Sequence, residues 1–234
     1  MRNHSRLLSD GWLSCILAIV LIVIDQVIKI EVKTNMFLGE SIRITDWFYI
    51  DFIENNGMAF GMTFFNKLVL SLFRLGAISL LGWYISRLVK GSHTRMGIFC
   101  LTLIWAGAVG NMVDSMFYGM VFNASSPFYV SYWVPFGSGY ASFLQGKVVD
   151  MFYFPLIVST WPDWVPFVGG NNFVFFSPVF NFADACVTVG VILLILFCRH
   201  EFENIGETMR KGTPWEHHEQ TPQVTETKQK GGTE

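Results

Sequence analysis

Four long apolar runs limit the folds open to this chain more than any other feature. Gly11 to Ile30, Leu68 to Val89, Met96 to Phe117 and Val179 to Cys198 each approach the roughly 20 mostly apolar residues that a bilayer-spanning helix needs. Composition agrees: 52% of the 234 residues are hydrophobic and 15% charged, against about 25% charged in an average soluble domain. Mean hydropathy is +0.42. Sixteen basic against 18 acidic residues give a net charge of -2, which leaves no electrostatic footprint for nucleic acid and excludes disorder over most of the length. The expected fold class is a mainly α, polytopic membrane protein with four transmembrane helices. The first run follows Arg2 and Arg6, yet it is too long for a secretory leader and lacks a small-residue cleavage site. Asp25 and Lys29 also interrupt its far end, so it is expected to remain attached.

Lys and Arg outside these runs, counted together with Arg87 near the end of the second, divide unequally. Ten (Arg2, Arg6, Arg87, Lys90, Arg95, Arg199, Arg210, Lys211, Lys228, Lys230) fall on the side of the termini, and four (Lys33, Arg43, Lys67, Lys147) in the two long connections. Positive charge stays inside, so both termini are expected in the cytoplasm and residues 31 to 67 and 118 to 178 outside. The first connection reads as a small outward β element from Ser41, with Ile42 and Ile44 alternating before Trp47, Phe48 and Tyr49, and Asn55, Asn56 and Gly57 as a turn. The second, rich in Tyr, Trp, Gly and Pro, suits the membrane interface. Within it, Met151 to Trp161 is too short to cross and is expected to be re-entrant or interfacial. Residues 1–200 form one expected domain, and 201–234 a polar, disordered cytoplasmic tail. The four cysteines lie in or beside the runs, none at CxxC spacing, and invite neither a disulfide nor a metal.

Ionisable residues inside a membrane are costly and default to functional candidates. Here they are Asp25, Lys29, Arg74, Asp114 and Asp184, with Asp150 just outside a run. Asp25 and Lys29 share a helix face and can pair, which also suits a purely structural role. Gly107, Asn111 and Asp114 follow one another at i, i+4 and i+7 beside Gly110. Small residues there also suit close helix packing, although packing leaves the Asn and Asp unexplained. Asn181 and Asp184 read equally as a helix cap with a first-turn acid. Asp150, between Val149 and an aromatic run, is either a carboxyl with a raised pKa or a solvated loop residue. All five histidines fall on the side of the termini, and neither HExxH nor GxSxG occurs, so acid chemistry from paired carboxylates remains.

Taken in order, the motifs resemble one family. They are Asp25-Gln26 with Lys29, then Asn55-Asn56-Gly57-Met58-Ala59-Phe60, and Gly107-Ala108-Val109-Gly110-Asn111-Met112-Val113-Asp114. Val148-Val149-Asp150 and Phe180-Asn181-Phe182-Ala183-Asp184 complete the set. Five such motifs on a four-span layout resemble lipoprotein signal peptidase, the type II signal peptidase of bacterial inner membranes, over about residues 10 to 198. The resemblance implies an intramembrane aspartyl endopeptidase with Asp150 and Asp184 as its catalytic pair and no cofactor. Asn55, Gly57, Gly110, Asn111, Asp114 and Asn181 would line or support the site, with Asp25 and Lys29 as the first motif. The implied substrate is a diacylglyceryl-modified prolipoprotein, cut before its lipid-bearing Cys, and the implied inhibitor is the cyclic peptide globomycin. Two features depart from the family: Ser115 stands where an Arg usually follows the third motif, and the segments around Asp150 are long. From composition alone, a small proton- or cation-coupled transporter using the same carboxylates is the rival reading. The acids, however, gather near one face, and no inverted repeat is evident.

Overall fold

The computed structural model describes residues 9–56, 67–90 and 95–198. Gly57 and the 201–234 tail lie outside these described residues. Helix α1 (Asp10–Asn35) begins where the Ser9 side chain accepts the Trp12 N–H at 3.4 Å, an ordinary N-cap. Its 26 residues rise about 39 Å, beyond the run that hydropathy marks. Lys33, expected in the outward connection, is therefore a last-turn helix residue and fully buried. Helix α2 (Lys67–Lys90) likewise takes in Lys67.

Helix α3 (Arg95–Val113) continues through a wide π-type turn (Asp114–Tyr118) into the short α4 (Gly119–Val121). Such turns are concentrated at functional sites, and this one starts on Asp114. Helix α3 is central: α1, α2 and α5 (Phe182–Phe197) all pack against it. Close approach to α5 depends on Gly107, where an added Cβ would stand 2.3 Å from the Ala183 carbonyl oxygen. Apolar side chains on α1, α2 and α5, among them Ile19, Phe73 and Leu196, face outward, as lipid-facing residues do.

Among the described residues three helices, Asp10–Asn35, Lys67–Lys90 and the run Arg95–Val121, are long and apolar enough to cross a membrane. The fourth expected span is shorter than its apolar run. Val179 and Phe180 form strand β6, Asn181 caps, and α5 has 16 residues, or about 24 Å.

Strands β1 (Ser41–Thr45) and β2 (Phe48–Asn55) form the expected hairpin, but its turn is Asp46 and Trp47, and Asn55 ends a strand. β3 (Val148–Tyr153) and β6 (Val179–Phe180) extend it into an antiparallel sheet ordered β1-β2-β3-β6. The run Met151 to Trp161 is not one continuous element. It splits at Pro155 between β3 and β4 (Ile157–Thr160), because proline cannot donate to a ladder. β4 pairs with β5 (Asn172–Phe175) in a separate exposed hairpin. Val32 of α1, Met36 just beyond its end, Phe52 of β2, Val149 and Met151 of β3, and Tyr118 and Phe122 form one core that docks the sheet on the helix ends. A second core, with Leu88, Ile98, Leu101 and Leu194, ties the opposite ends together.

Candidate active site

Where the C-terminal turns of α1 and α3 meet the N-terminus of α5 and strand β3, four carboxyl groups converge. Asp25 and Lys29, one turn apart on α1, form an ion pair at 2.9 Å, and Lys29 makes a second with Asp114 at 2.9 Å. All three are buried, an arrangement stable only when the remaining oxygens are satisfied. Here they are. Asp25 Oδ1 accepts the Ala183 N–H at 2.9 Å and Oδ2 the Gln26 amide at 3.1 Å. Asp114 Oδ1 accepts the same amide at 2.9 Å, and its Oδ2 the Val149 N–H at 3.3 Å. The cluster thereby fixes α1, α3, β3 and the start of α5 against one another. Gly110 makes room for it, since an added Cβ would stand 2.6 Å from Asp25 Oδ2.

Asn111, one turn before Asp114, connects this cluster to the remaining acids. Its Oδ1 accepts from Lys29 at 2.8 Å and from Asn181 at 3.0 Å, while its Nδ2 donates to Asp184 Oδ1 at 2.7 Å. Asn181 and Asp184 form a reciprocal capping box: the Asp184 N–H donates to Asn181 Oδ1 at 2.9 Å and the Asn181 N–H to Asp184 Oδ2 at 3.3 Å. The same Asn181 donates its side-chain N–H to Asp150 Oδ1 at 2.6 Å. Asp150 Oδ2 accepts from Asn55. In the sheet, Asn55 pairs with Val148 and Ile53 with Asp150, so the two polar residues are diagonal neighbours on one face.

Each acid of the Asp150 and Asp184 pair thus accepts two amide N–H groups, and Asn181 touches both. Their settings differ. Asp150 is buried, 3% exposed, whereas Asp184 is half-exposed in the first turn of α5. Burial, and next the nearby Asp184 charge, push the Asp150 carboxyl up to about 7. One acid that readily holds a proton beside one at a helix N-terminus, where negative charge is favoured, can perform general acid–base chemistry.

Of the residues singled out from sequence, Asp25, Lys29, Asn55, Gly110, Asn111, Asp114, Asp150, Asn181 and Asp184 come together here. Gly57 lies outside the described residues. Ser115 is buried beside the cluster, its Oγ turned back onto the Asn111 carbonyl at 3.2 Å. Gln26 stood in the first motif without a role of its own. It joins Asp25, the Gly110 carbonyl and Asp114, and accepts from the Tyr118 hydroxyl at 3.1 Å. The further signal for it was a lone amide next to an Asp within an apolar run.

Among known proteins, the family described as signal peptidase (SPase) II matches residues 17–199. A protein named lipoprotein signal peptidase from Porphyromonas gingivalis is 50% identical over 190 residues, 81% of this chain and 84% of that protein. One of the same name from Amoebophilus asiaticus is 36% identical over 187 residues, 77% of this chain and 75% of that protein. The fold is similar to that of a bacterial membrane enzyme solved by the in meso method at 1.9 Å resolution. The TM-score is 0.53 at 22% identity, covering 80% of this chain and 92% of that one. The matched segment takes in every motif from Asp25 to Asp184, and the chain belongs to the signal peptidase II family of aspartic proteases.

Proposed function

We propose that this multi-pass membrane protein removes the signal peptide of lipoprotein precursors as an intramembrane aspartyl endopeptidase, cutting before the diacylglyceryl-modified Cys. The observation carrying this reading is Asn181, which holds Asp150 through its side chain and Asp184 through its backbone N–H. Two carboxyls 34 positions apart in the chain are thereby presented together, at one end of the helix bundle. Close carboxyls share one proton, because both cannot ionise cheaply. In the mechanism Asp150 carries it and Asp184, ionised, takes a proton from water as the water attacks the scissile carbonyl. Asp150 donates a hydrogen bond to the developing oxyanion, and the proton gained by the pair later goes to the leaving amine. Asn55, Asn111 and Asn181 orient the carboxyls, and Asp25, Lys29 and Asp114 hold the helices that carry them. Gly57 belongs to the same site by its motif.

The lipid accounts for the membrane setting. Each buried CH2 of an acyl chain contributes about 0.8 kcal/mol, so the substrate's Cys is retained at the interface and the site has to lie at that depth. The reading places the protein in the bacterial inner membrane with both termini cytoplasmic and the site near the outer face. It also makes a globomycin-type cyclic peptide an active-site ligand. In detergent, the purified protein should cleave a lipid-modified prolipoprotein. Asp150→Asn and Asp184→Asn should each abolish cleavage and retain globomycin binding, and the double variant should be scarcely worse than either, since residues acting as one unit are non-additive. Near-normal turnover by either single variant would overturn the mechanism.

A further inference from the structure

Helix α2 is apolar along most of its length, yet the polar residues of its first turns fall on one face. Lys67, Ser71 and Arg74 stand at i, i+4 and i+7. Buried Ser71 donates its hydroxyl to the Leu144 carbonyl at 2.8 Å, and two residues further on the Gly146 N–H donates to the Ser115 carbonyl at 2.9 Å. This strap fixes the stripe against the outer turns of α3, where the carboxyl cluster lies. The Lys67 ammonium is buried without a hydrogen-bond partner and within electrostatic reach of Asp114, Glu54, Lys147 and Arg74. Half-buried Arg74, two turns further along α2, stands close enough to Asp184 for their opposite charges to attract.

The site needs such a cation. With Asp150 protonated, Asp25, Asp114 and Asp184 bring three negative charges, and Lys29 supplies one positive charge in contact with them. Three less one leaves two, in surroundings where charge is weakly screened. Position 115, beside Asp114, carries a neutral Ser. We propose that Arg74 is a positioning residue for catalysis, the counter-charge that offsets the excess negative charge gathered around Asp150 and Asp184. This rests on Asp150 and Asp184 being the catalytic pair. The other titratable groups in and around the carboxyl cluster are Asp25 and Lys29 from α1, Lys67 from α2, Asp114 and Tyr118 from the end of α3, and Cys186 from α5, with Glu54, Tyr140 and Lys147 further out.

A cation near a carboxyl pair lowers both of its titrations, so its loss raises both. The test is kcat/KM against pH for the full chain in detergent with a lipid-modified prolipoprotein. Arg74→Gln should move the whole bell to higher pH by about one unit or more. Arg74→Lys, which keeps the charge, should leave the bell in place. Arg74→Gln combined with Ser115→Arg, which rebuilds a cation next to Asp114, should return it. An unmoved bell in Arg74→Gln, a displaced bell in Arg74→Lys or a folded double variant whose bell is not restored overturns the proposal, and Arg74→Lys still reports if Arg74→Gln does not fold. Asp150→Asn and Asp184→Asn in the same assay separate the two readings. If both are inactive while the Arg74→Gln bell stays put, the role of Arg74 fails alone. If either stays active, the catalytic pair itself fails.

Discussion

Asp150 accepts hydrogen bonds from Asn55 and Asn181 inside a wall of strand residues, and that placement makes folding sensitive to pH. Burial and the Asp184 charge push its carboxyl up to about 7 from an ordinary 3.8. As pH rises from about 4 the unfolded chain releases this proton while the folded chain keeps it. The group's contribution to stability is therefore full below about pH 4 and is lost as pH rises through about 7. Asp150→Asn keeps the shape and never becomes charged. Its melting temperature should exceed that of the parent at pH 8 by roughly 5 °C, with the gap closing near pH 4; a gap independent of pH would overturn this account. Spacing on one helix indicated that Asn111 and Asp114 share a face, and the cap pattern indicated that Asn181 precedes a helix. It did not indicate what each would face. The bonds from Asn111 to Asp184 and from Gln26 to Asp114 join helices 73 and 88 positions apart, and no local pattern encodes them.

Between elements, the end of α1 is fastened to β2 and to the segment after α4 by a buried charge. Lys33, in the last turn of α1, pairs with Glu54 of β2 and donates to Ser125 at 2.7 Å. Its ammonium lies 5.9, 5.3 and 5.4 Å from the ring centres of Phe52, Phe122 and Tyr140, a favourable setting for a cation. Lys147 approaches the other Glu54 oxygen at 3.4 Å. Burial would raise the Glu54 carboxyl, but Lys33, Ser125 and Lys147 outweigh burial and hold it below its ordinary value, so it is ionised at neutral pH. Glu54 directly precedes Asn55, so this clamp also sets the strand that reaches Asp150. Lys33→Met leaves a buried, poorly compensated carboxylate and should cost about 3–5 kcal/mol. Lys33→Met with Glu54→Gln should recover most of that loss, and thermal unfolding of the two variants decides; a double variant no more stable than Lys33→Met would mean the pairing is not what stabilises. The sequence reading ended span one at Ile30, before Glu31 and Lys33. A lysine that belongs inside a helix and one that belongs in a loop are the same letter, and its aromatic box comes from residues far along the chain.

For the whole molecule, hydropathy located the helices because each carries its signal within itself, whereas the sheet was only half legible. The β1 and β2 hairpin is local, but β2 joins β3 across nearly a hundred residues, as in the pairing of Asn55 with Val148. The same distance hid the second face of the site. Charge divides along the bundle. At one end Arg95 pairs with Asp10 at 2.8 Å, bringing the starts of α1 and α3 together with Arg87 and Lys90 at the end of α2. At the other end lie the carboxyl cluster and the sheet. Because Lys33 and Lys67 belong to helices, Arg43 and Lys147 are the cations left in the two connections at the sheet end, which sharpens the ten-to-four division read from sequence. Positive charge is retained in the cytoplasm, so the cluster should face outward. Ser138 is exposed on the segment that packs over this end. A cysteine placed there should react with a membrane-impermeant thiol reagent added to intact cells, above the background of the unmodified chain, and a reporter fused after Cys198 should be active only in the cytoplasm. Labelling at Ser138 that appears only after the membrane is breached would invert the orientation and place the carboxyl pair on the wrong side for a substrate held at the outer face.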